Sequence, residues 1–433
     1  MAPDLRQRFE RLLLDLPQWE RESERRALLG FLRDHEIWDD LDLTGSAASA
    51  AVRLLDLHDK HGPEPFRALL AGLREALRSH PERCDEIAAL EAEFRSRAVE
   101  RRRERWSGTP YRGLAYFDRR HAPIFFGREA EVNALIRTMT ETEQGRRFTV
   151  VFGASGSGKS SLVRAGLWAR LAAGQVPELP GSERWLVSVM TPLEMGSPAA
   201  SLRASLVRAL QEHDGFEDKL DAAAAVDQGP LAELAERLLP PGDARWLLIL
   251  DQMEELFAAE QREAAADFLD RLIEGTRPRG AREPSRFQVL ATLRADFFHY
   301  CLGHPPLKRA VGRDGGTFLL SAPGRLALER MVSGPITEVE LPKRWTLDPA
   351  LPPAMAADAE RHPGGLALMA FALRELYDRC EPKRRMDLET YRGEAFGGLS
   401  GAIARRADST LEELGEGGAA VLERVFARLV RVN

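Results

Sequence analysis

Residues 148–163 read FTVVFGASGSGKSSLV, and the segment from Gly153 to Ser160 matches the pattern G-x-x-x-x-G-K-[ST]. Its context is the one this pattern requires. An apolar, β-branched run (148–152) enters the loop, and an amphipathic run with Leu162, Val163 and Leu167 leaves it. Glycines let successive backbone N–H groups turn inward around a phosphate, and the N-terminus of the following helix adds partial positive charge. Gly153, Ser155, Gly156, Ser157, Gly158, Lys159, Ser160 and Ser161 are therefore candidate phosphate-binding residues. Lys159 is expected to reach the β/γ-phosphates, and the Ser160 hydroxyl to ligate Mg²⁺. The chain uses arginine by default: of 61 Lys+Arg residues, the lysines are only Lys60, Lys159, Lys219, Lys308, Lys343 and Lys383. A lysine at this position is thus not a compositional accident.

Working outward, further apolar strand candidates lie at 185–190 (WLVSVM), 246–250 (WLLIL) and 287–292 (FQVLAT). Amphipathic segments at 159–172, 200–211 and 258–274 separate them. Short apolar runs buried on both faces and alternating with helices predict a parallel sheet covered on both sides. The third run delivers Asp251 at a strand end, followed by Glu254 and Glu255. A carboxylate there can hold Mg²⁺ opposite Ser160, and one of the two glutamates can polarise an attacking water. Arg294 leaves the next strand end, where a guanidinium suits a γ-phosphate. A surface arginine paired with Asp296 is the plainer alternative.

The remainder is helical. Leu5, Phe9, Leu12, Leu13 and Leu16 recur at helical spacing, as do Phe66, Leu69, Leu70, Leu73 and Leu77, and predict a bundle of five or six short helices over 1–94. Residues 95–122 combine a charge run with Gly and Pro punctuation and read as a linker. The strand-bearing core spans 123–324, and helical signals return over 325–400 and 401–433. The fold class is thus multidomain, α and α/β. A formal net charge of −6 disfavours a dedicated nucleic-acid binder. Three distant cysteines argue against a disulfide framework or zinc site. No apolar stretch is long enough for a signal peptide or membrane span, so no membrane partner and a cytoplasmic location are expected.

TPYRGLAYFDRRHAPIFFGREAEVNALI (109–136), the phosphate loop with VRAGLWARL after it, LILDQMEELF (248–257) and LATLRADFF (290–298) together resemble the novel STAND NTPases. These are signal-transduction ATPases related to NACHT and NB-ARC proteins. The resemblance implies ATP/ADP and Mg²⁺ as cofactors, Asp251 in the Mg²⁺ role, Glu254 as the water-polarising residue with Glu255 its alternate, and Arg294 as the γ-phosphate sensor. FFGRE (125–129) resembles the family segment around adenine and ribose, which implicates Phe126, Gly127 and Arg128. Gly365-Leu366-Ala367 stands where the family has a Gly-x-Pro element, so no adenine contact is assigned to Ala367. Residues 401–433 resemble the start of a truncated winged-helix-like domain, beyond which family members carry a repeat sensor. Residues 1–94 resemble, less specifically, death-fold-like effector-associated domains. The resemblance implies an ATP-driven switch with slow hydrolysis, self-association in the ATP state, and recruitment of an effector protein carrying a like helical domain, in bacterial immunity or stress signalling. A non-catalytic scaffold holding ADP as a structural ligand is the alternative. An AAA+ remodeller is disfavoured, for want of a trans-acting arginine motif or pore loop.

Overall fold

The computed structural model describes residues 3–32, 38, 41–61, 63–78, 80–100, 105–140, 147–212, 219–227, 229–258, 262–278, 284–362, 364–415 and 417–429. The chain divides into two units, one of Met1–Glu104 with Glu129–Ala134 and one of Arg105–Arg128 with Leu135–Asn433.

The first unit contains the helices α1 (Pro3–Leu14), α2 (Glu22–Leu28), α3 (Ala47–His61), α4 (Pro63–Ala76) and α5 (Pro81–Glu100). Its core joins Phe9, Leu12 and Leu13 of α1 to Leu54 and Leu55 of α3, Leu69, Leu70 and Leu73 of α4, and Ile87 and Leu90 of α5. Spacings of three and four residues put these side chains on one face of each helix, which is why the bundle closes. Trp19 is fully buried and its Nε1 donates to Ala47 O at 3.0 Å. The neighbouring Arg25 is buried too, donating to the carbonyls of Trp19, Leu43, Glu20 and Gly45. Four carbonyl dipoles replace the water this cation gives up.

In the second unit, β1 (Phe148–Gly153), β2 (Leu186–Met190), β3 (Trp246–Leu250), β4 (Phe287–Arg294) and β5 (Thr317–Leu319) form one parallel sheet in the order β2-β3-β4-β1-β5. The four strands expected from the apolar runs are present. The fifth escaped notice because it is three residues long and half exposed at the sheet edge, with Leu319 at 72% exposure, so no apolar run marks it. Helix α6 (Glu129–Thr140) is divided between the units after Ala134, and α7 (159–172), α8 (Pro198–Glu212), α9 (Leu231–Leu238) and α10 (Arg262–Gly275) accompany the strands; the middle of α7, Leu162–Trp168, is π-helical. The register Leu250↔Ala291, together with Gly153↔Arg294, brings the carboxyl ends of β3, β4 and β1 side by side.

The helices α11 (Arg325–Thr337), α12 (Leu351–Glu360), α13 (Gly365–Cys380), α14 (Gly398–Leu414) and α15 (Gly418–Leu429) follow. A two-residue parallel ladder, Thr346–Leu347 with Arg385–Met386, interrupts the helical stretch where no strand was expected. Pairings this short leave no periodicity to read.

The expected linker, 95–122, is corrected. Up to Glu100 it is α5, residues 101–104 lie outside the described residues, and from Arg105 it is packed structure. Tyr111 is 3% exposed within the core of α11–α14, and its hydroxyl donates to Val332 O at 2.5 Å. Glycine and proline here mark a strap fixed by side chains at every turn. Among the described residues, no helix is long and apolar enough to cross a membrane.

Candidate active site

Positive φ angles at Gly156 (73°) and Gly158 (88°) turn the loop between β1 and α7, a conformation β-carbon-bearing residues avoid. Ser157 Oγ is buried there with no hydrogen-bond partner. Lys159 is 9% exposed, and its Nζ donates to the loop carbonyls of Gly153 and Ala154 at 2.9 and 2.8 Å. Burial pushes this ammonium below its ordinary pKa, against the pull of Glu254 and Asp251. Arg128, 3% exposed, braces the loop: its guanidinium donates to Ser157 O and Ser321 O. The FFGRE segment therefore touches the loop through its arginine. Phe126 lies against Gly334 of α11, where a β-carbon would fall 2.5 Å from its ring.

Asp251, fully buried, is the hub. Its Oδ1 accepts from Ser160 Oγ at 2.8 Å and Thr292 Oγ1 at 2.7 Å. Its Oδ2 accepts from Arg164 Nε and faces the second guanidinium nitrogen, each at 3.0 Å. Ser160 and Asp251, predicted to flank one metal, are thus adjacent. Arg164 and Thr292 were missed. Thr292 sits inside a strand and looked like sheet, while Arg164 lay within the quoted VRAGL run but looked like one arginine among many.

The two glutamates separate. Glu254 lines the cavity described next, while Glu255 Oε2 accepts the Leu193 N–H at 3.0 Å and ties down the loop after β2. Arg294 also lines the cavity, but its guanidinium is 41% exposed and bonded to Asp296, at 3.1 Å through Nε and 2.7 Å through the terminal nitrogen. The hydrogen bond to Asp296 pushes Arg294 up and Asp296 down from their ordinary pKa values. The plainer alternative for Arg294 is the arrangement observed. The Ser161 hydroxyl likewise accepts the Phe117 N–H at 3.0 Å, so its side chain fastens the strap to α7.

These groups open onto a cavity of about 500 Å³. Ser155, Gly156, Gly158, Lys159, Ser160 and Ser161 line one end, with Gln252, Glu254, Thr292 and Arg294 beside them. The opposite walls are the strap (Pro110–Phe117), Phe126, Met331 and Pro335 of α11, and Leu366, Ala367 and Leu373 of α13. Ala367, to which no contact was assigned, lines the cavity after all, and a β-carbon on Gly156 would meet its Cβ at 3.3 Å. The proline missing from α13 has a counterpart in the wall, Pro335, from a different helix. A polar end beside an apolar wall suits a ligand carrying phosphates at one end and a flat ring at the other.

The family profile described as Novel STAND NTPase 1 matches residues 110–433, three quarters of the chain. The chain belongs to this family. It is a STAND-type P-loop NTPase. No curated protein matches this sequence. Among solved structures, the Aeropyrum pernix ORC2 protein (ADPNP-ADP complexes) is similar at 14% identity and a TM-score of 0.44, with 64% of this chain and 68% of that one covered. Cdc6p from Pyrobaculum aerophilum follows at 13% and 0.38, covering 61% and 65%. Closed-state Hsp104 with ATPγS and FITC casein gives 17% and 0.38, covering 70% of this chain and 45% of that one. The STAND profile starts at Pro110, inside the strap, so the strap belongs to the ATPase unit by sequence as well as by packing.

Proposed function

We propose that this STAND ATPase binds Mg-ATP in the 500 Å³ cavity, hydrolyses it slowly, and uses the nucleotide state to control recruitment of an effector protein through residues 1–94. The observation that carries the site reading is the convergence of Lys159, Ser160 and Glu254 at the polar end of one cavity whose far wall is apolar, with Asp251 buried directly behind Ser160. The site fits the group it would hold. Ser157 Oγ is a buried, unpartnered polar atom in the loop, and the hydroxyl of Ser160 with the carboxylate of Asp251 is the hard-oxygen donor set that Mg²⁺ prefers. When bound, Mg²⁺ supplies neutralisation of charge on the β- and γ-phosphate oxygens. Lys159 neutralises charge from the other side, the loop N–H groups orient the phosphates, and Glu254 holds and deprotonates the attacking water. Phe126, Gly127 and the strap would close around the base and ribose.

Slow turnover, roughly 10⁻⁴–10⁻² s⁻¹, is what an unassisted P-loop site delivers, and Arg294, engaged with Asp296, gives no help at the γ-phosphate until it is released. The adaptor role of 1–94 is supported by a bundle with its own apolar core. In this reading the partner carries a like helical bundle, the ATP state self-associates, and the setting is bacterial immunity or stress signalling. Isothermal titration tests the site. Lys159→Ala should weaken ATP and ADP by roughly 10- to 150-fold, the worth of a charge-assisted contact; equal affinities in variant and wild type would remove Lys159 from the site.

A further inference from the structure

The Asp251–Arg164 pair is unusual for a metal-holding carboxylate because its charge is already balanced. Three hydrogen bonds converge on Asp251, from the hydroxyls of Ser160 and Thr292 to Oδ1 and from Arg164 Nε to Oδ2, and the second guanidinium nitrogen lies 3.0 Å from Oδ2. The Arg164 side chain is 12% exposed and that of Asp251 is 1% exposed, so water screens the pair little. The guanidinium stacks by its face against the Tyr116 ring of the strap, its carbon 4.5 Å from the ring centroid, which helps hold its edge on the carboxylate. Lys159, a further cation nearby, donates to the loop carbonyls of Gly153 and Ala154.

An uncompensated carboxylate beside a phosphate loop repels a diphosphate, and a divalent cation is then needed to bring the two together. A carboxylate carrying its own guanidinium exerts no such repulsion. We propose that Arg164 is a built-in counter-cation for Asp251, a positioning residue that lets this site retain a nucleoside diphosphate with little help from a divalent metal. The proposal rests on the nucleotide-site reading above and adds to it a rule for the metal dependence of the ADP state. In a switch, that rule would make the ADP-bound resting form insensitive to the free Mg²⁺ level.

The test is calorimetric titration of ADP into the full chain, in excess EDTA and in MgCl₂, for wild type and three variants. Wild type should differ by less than about fivefold between the two buffers, and Arg164→Met should lose roughly 10- to 100-fold in EDTA, the range for one unbalanced charge at a few ångströms in a partly screened site. Asp251→Asn, which leaves the guanidinium unopposed, should bind ADP more tightly than wild type in EDTA. Arg164→Met combined with Asp251→Asn has no net buried charge and should return to wild-type affinity in EDTA. That double variant carries the test if the lone Arg164→Met chain, with its unpaired buried carboxylate, does not fold. Wild-type ADP binding that collapses in EDTA overturns the proposal, as does Asp251→Asn showing no gain there. A wild-type chain that binds ADP in neither buffer overturns the nucleotide-site reading itself, whereas binding with the same metal dependence in all four proteins removes only the role of Arg164.

Discussion

Replacing each of the two glutamates after β3 by glutamine separates a chemical role from a structural one. Glu254 lines the cavity, and its carboxylate accepts the Arg294 N–H at 3.4 Å, a bond the amide oxygen of glutamine can also accept. On the proposed mechanism, Glu254→Gln removes the proton acceptor for the attacking water. A positioned general base contributes about 10²- to 10⁴-fold, which is about 2.7–5.4 kcal/mol of barrier. ATP should still bind, within about threefold of wild type or slightly tighter, because an anion near the phosphates has gone. Glu255 accepts the Leu193 N–H at 3.0 Å, a bond that glutamine can also accept. Glu255→Gln should therefore turn over within a few-fold of wild type, while Glu255→Ala, which orphans that N–H, should lower stability by about 1–2 kcal/mol. Single-turnover hydrolysis with ATP affinity measured in parallel reads all of this. Full activity in Glu254→Gln with loss in Glu255→Gln would show that the cavity-facing glutamate is not the base.

Tyr111→Phe should lower the thermal midpoint, costing about 0.5–1.5 kcal/mol by removing the hydroxyl's hydrogen bond to Val332 O; an unchanged midpoint would mean the strap is not held by that bond. His121 is buried, and its Nδ1 accepts the Asp118 N–H at 2.9 Å. Burial, with Arg112 and Arg120 nearby, holds its pKa below the ordinary 6.5. The unfolded chain therefore takes up the proton first, so stability should fall as pH drops through 6.5 and level off below the folded pKa. Melting curves from about pH 8 to about pH 5 should show a shallower slope for His121→Asn, and equal slopes would acquit the histidine. Residues 1–94 should fold alone, small but viable without disulfides, giving a helical circular-dichroism spectrum and cooperative melting; a fragment that melts without cooperativity would deny the bundle an independent core.

Local pattern carried a long way in this chain. The phosphate loop, four of the five strands of the sheet and the carboxylate at the end of β3 were legible because each is written in consecutive residues: glycine and lysine spacing, and apolar runs that only a two-sided parallel sheet can bury. The helical periodicity of α1 and α4 was legible for the same reason. Partnership across the sheet was not. Whether Arg294 faced a phosphate or Asp296, and which glutamate faced the cavity, depended on rotamers and loop contacts that spacing does not encode. Nor could the strap be distinguished from a linker, since what makes Pro110–Phe117 a wall is Val332, 221 residues beyond Tyr111, and Ser161, 44 beyond Phe117.

Sequence by itself determined that this protein has a phosphate-binding loop between a strand and a helix, with an acidic strand end to serve it, because backbone conformation and burial follow from neighbouring residues. Tertiary structure alone decided how the charges pair. Asp251 meets Arg164 and Thr292 only when β3, β4 and α7 are packed in register, and electrostatic energy depends on distance through space, which chain separation does not measure.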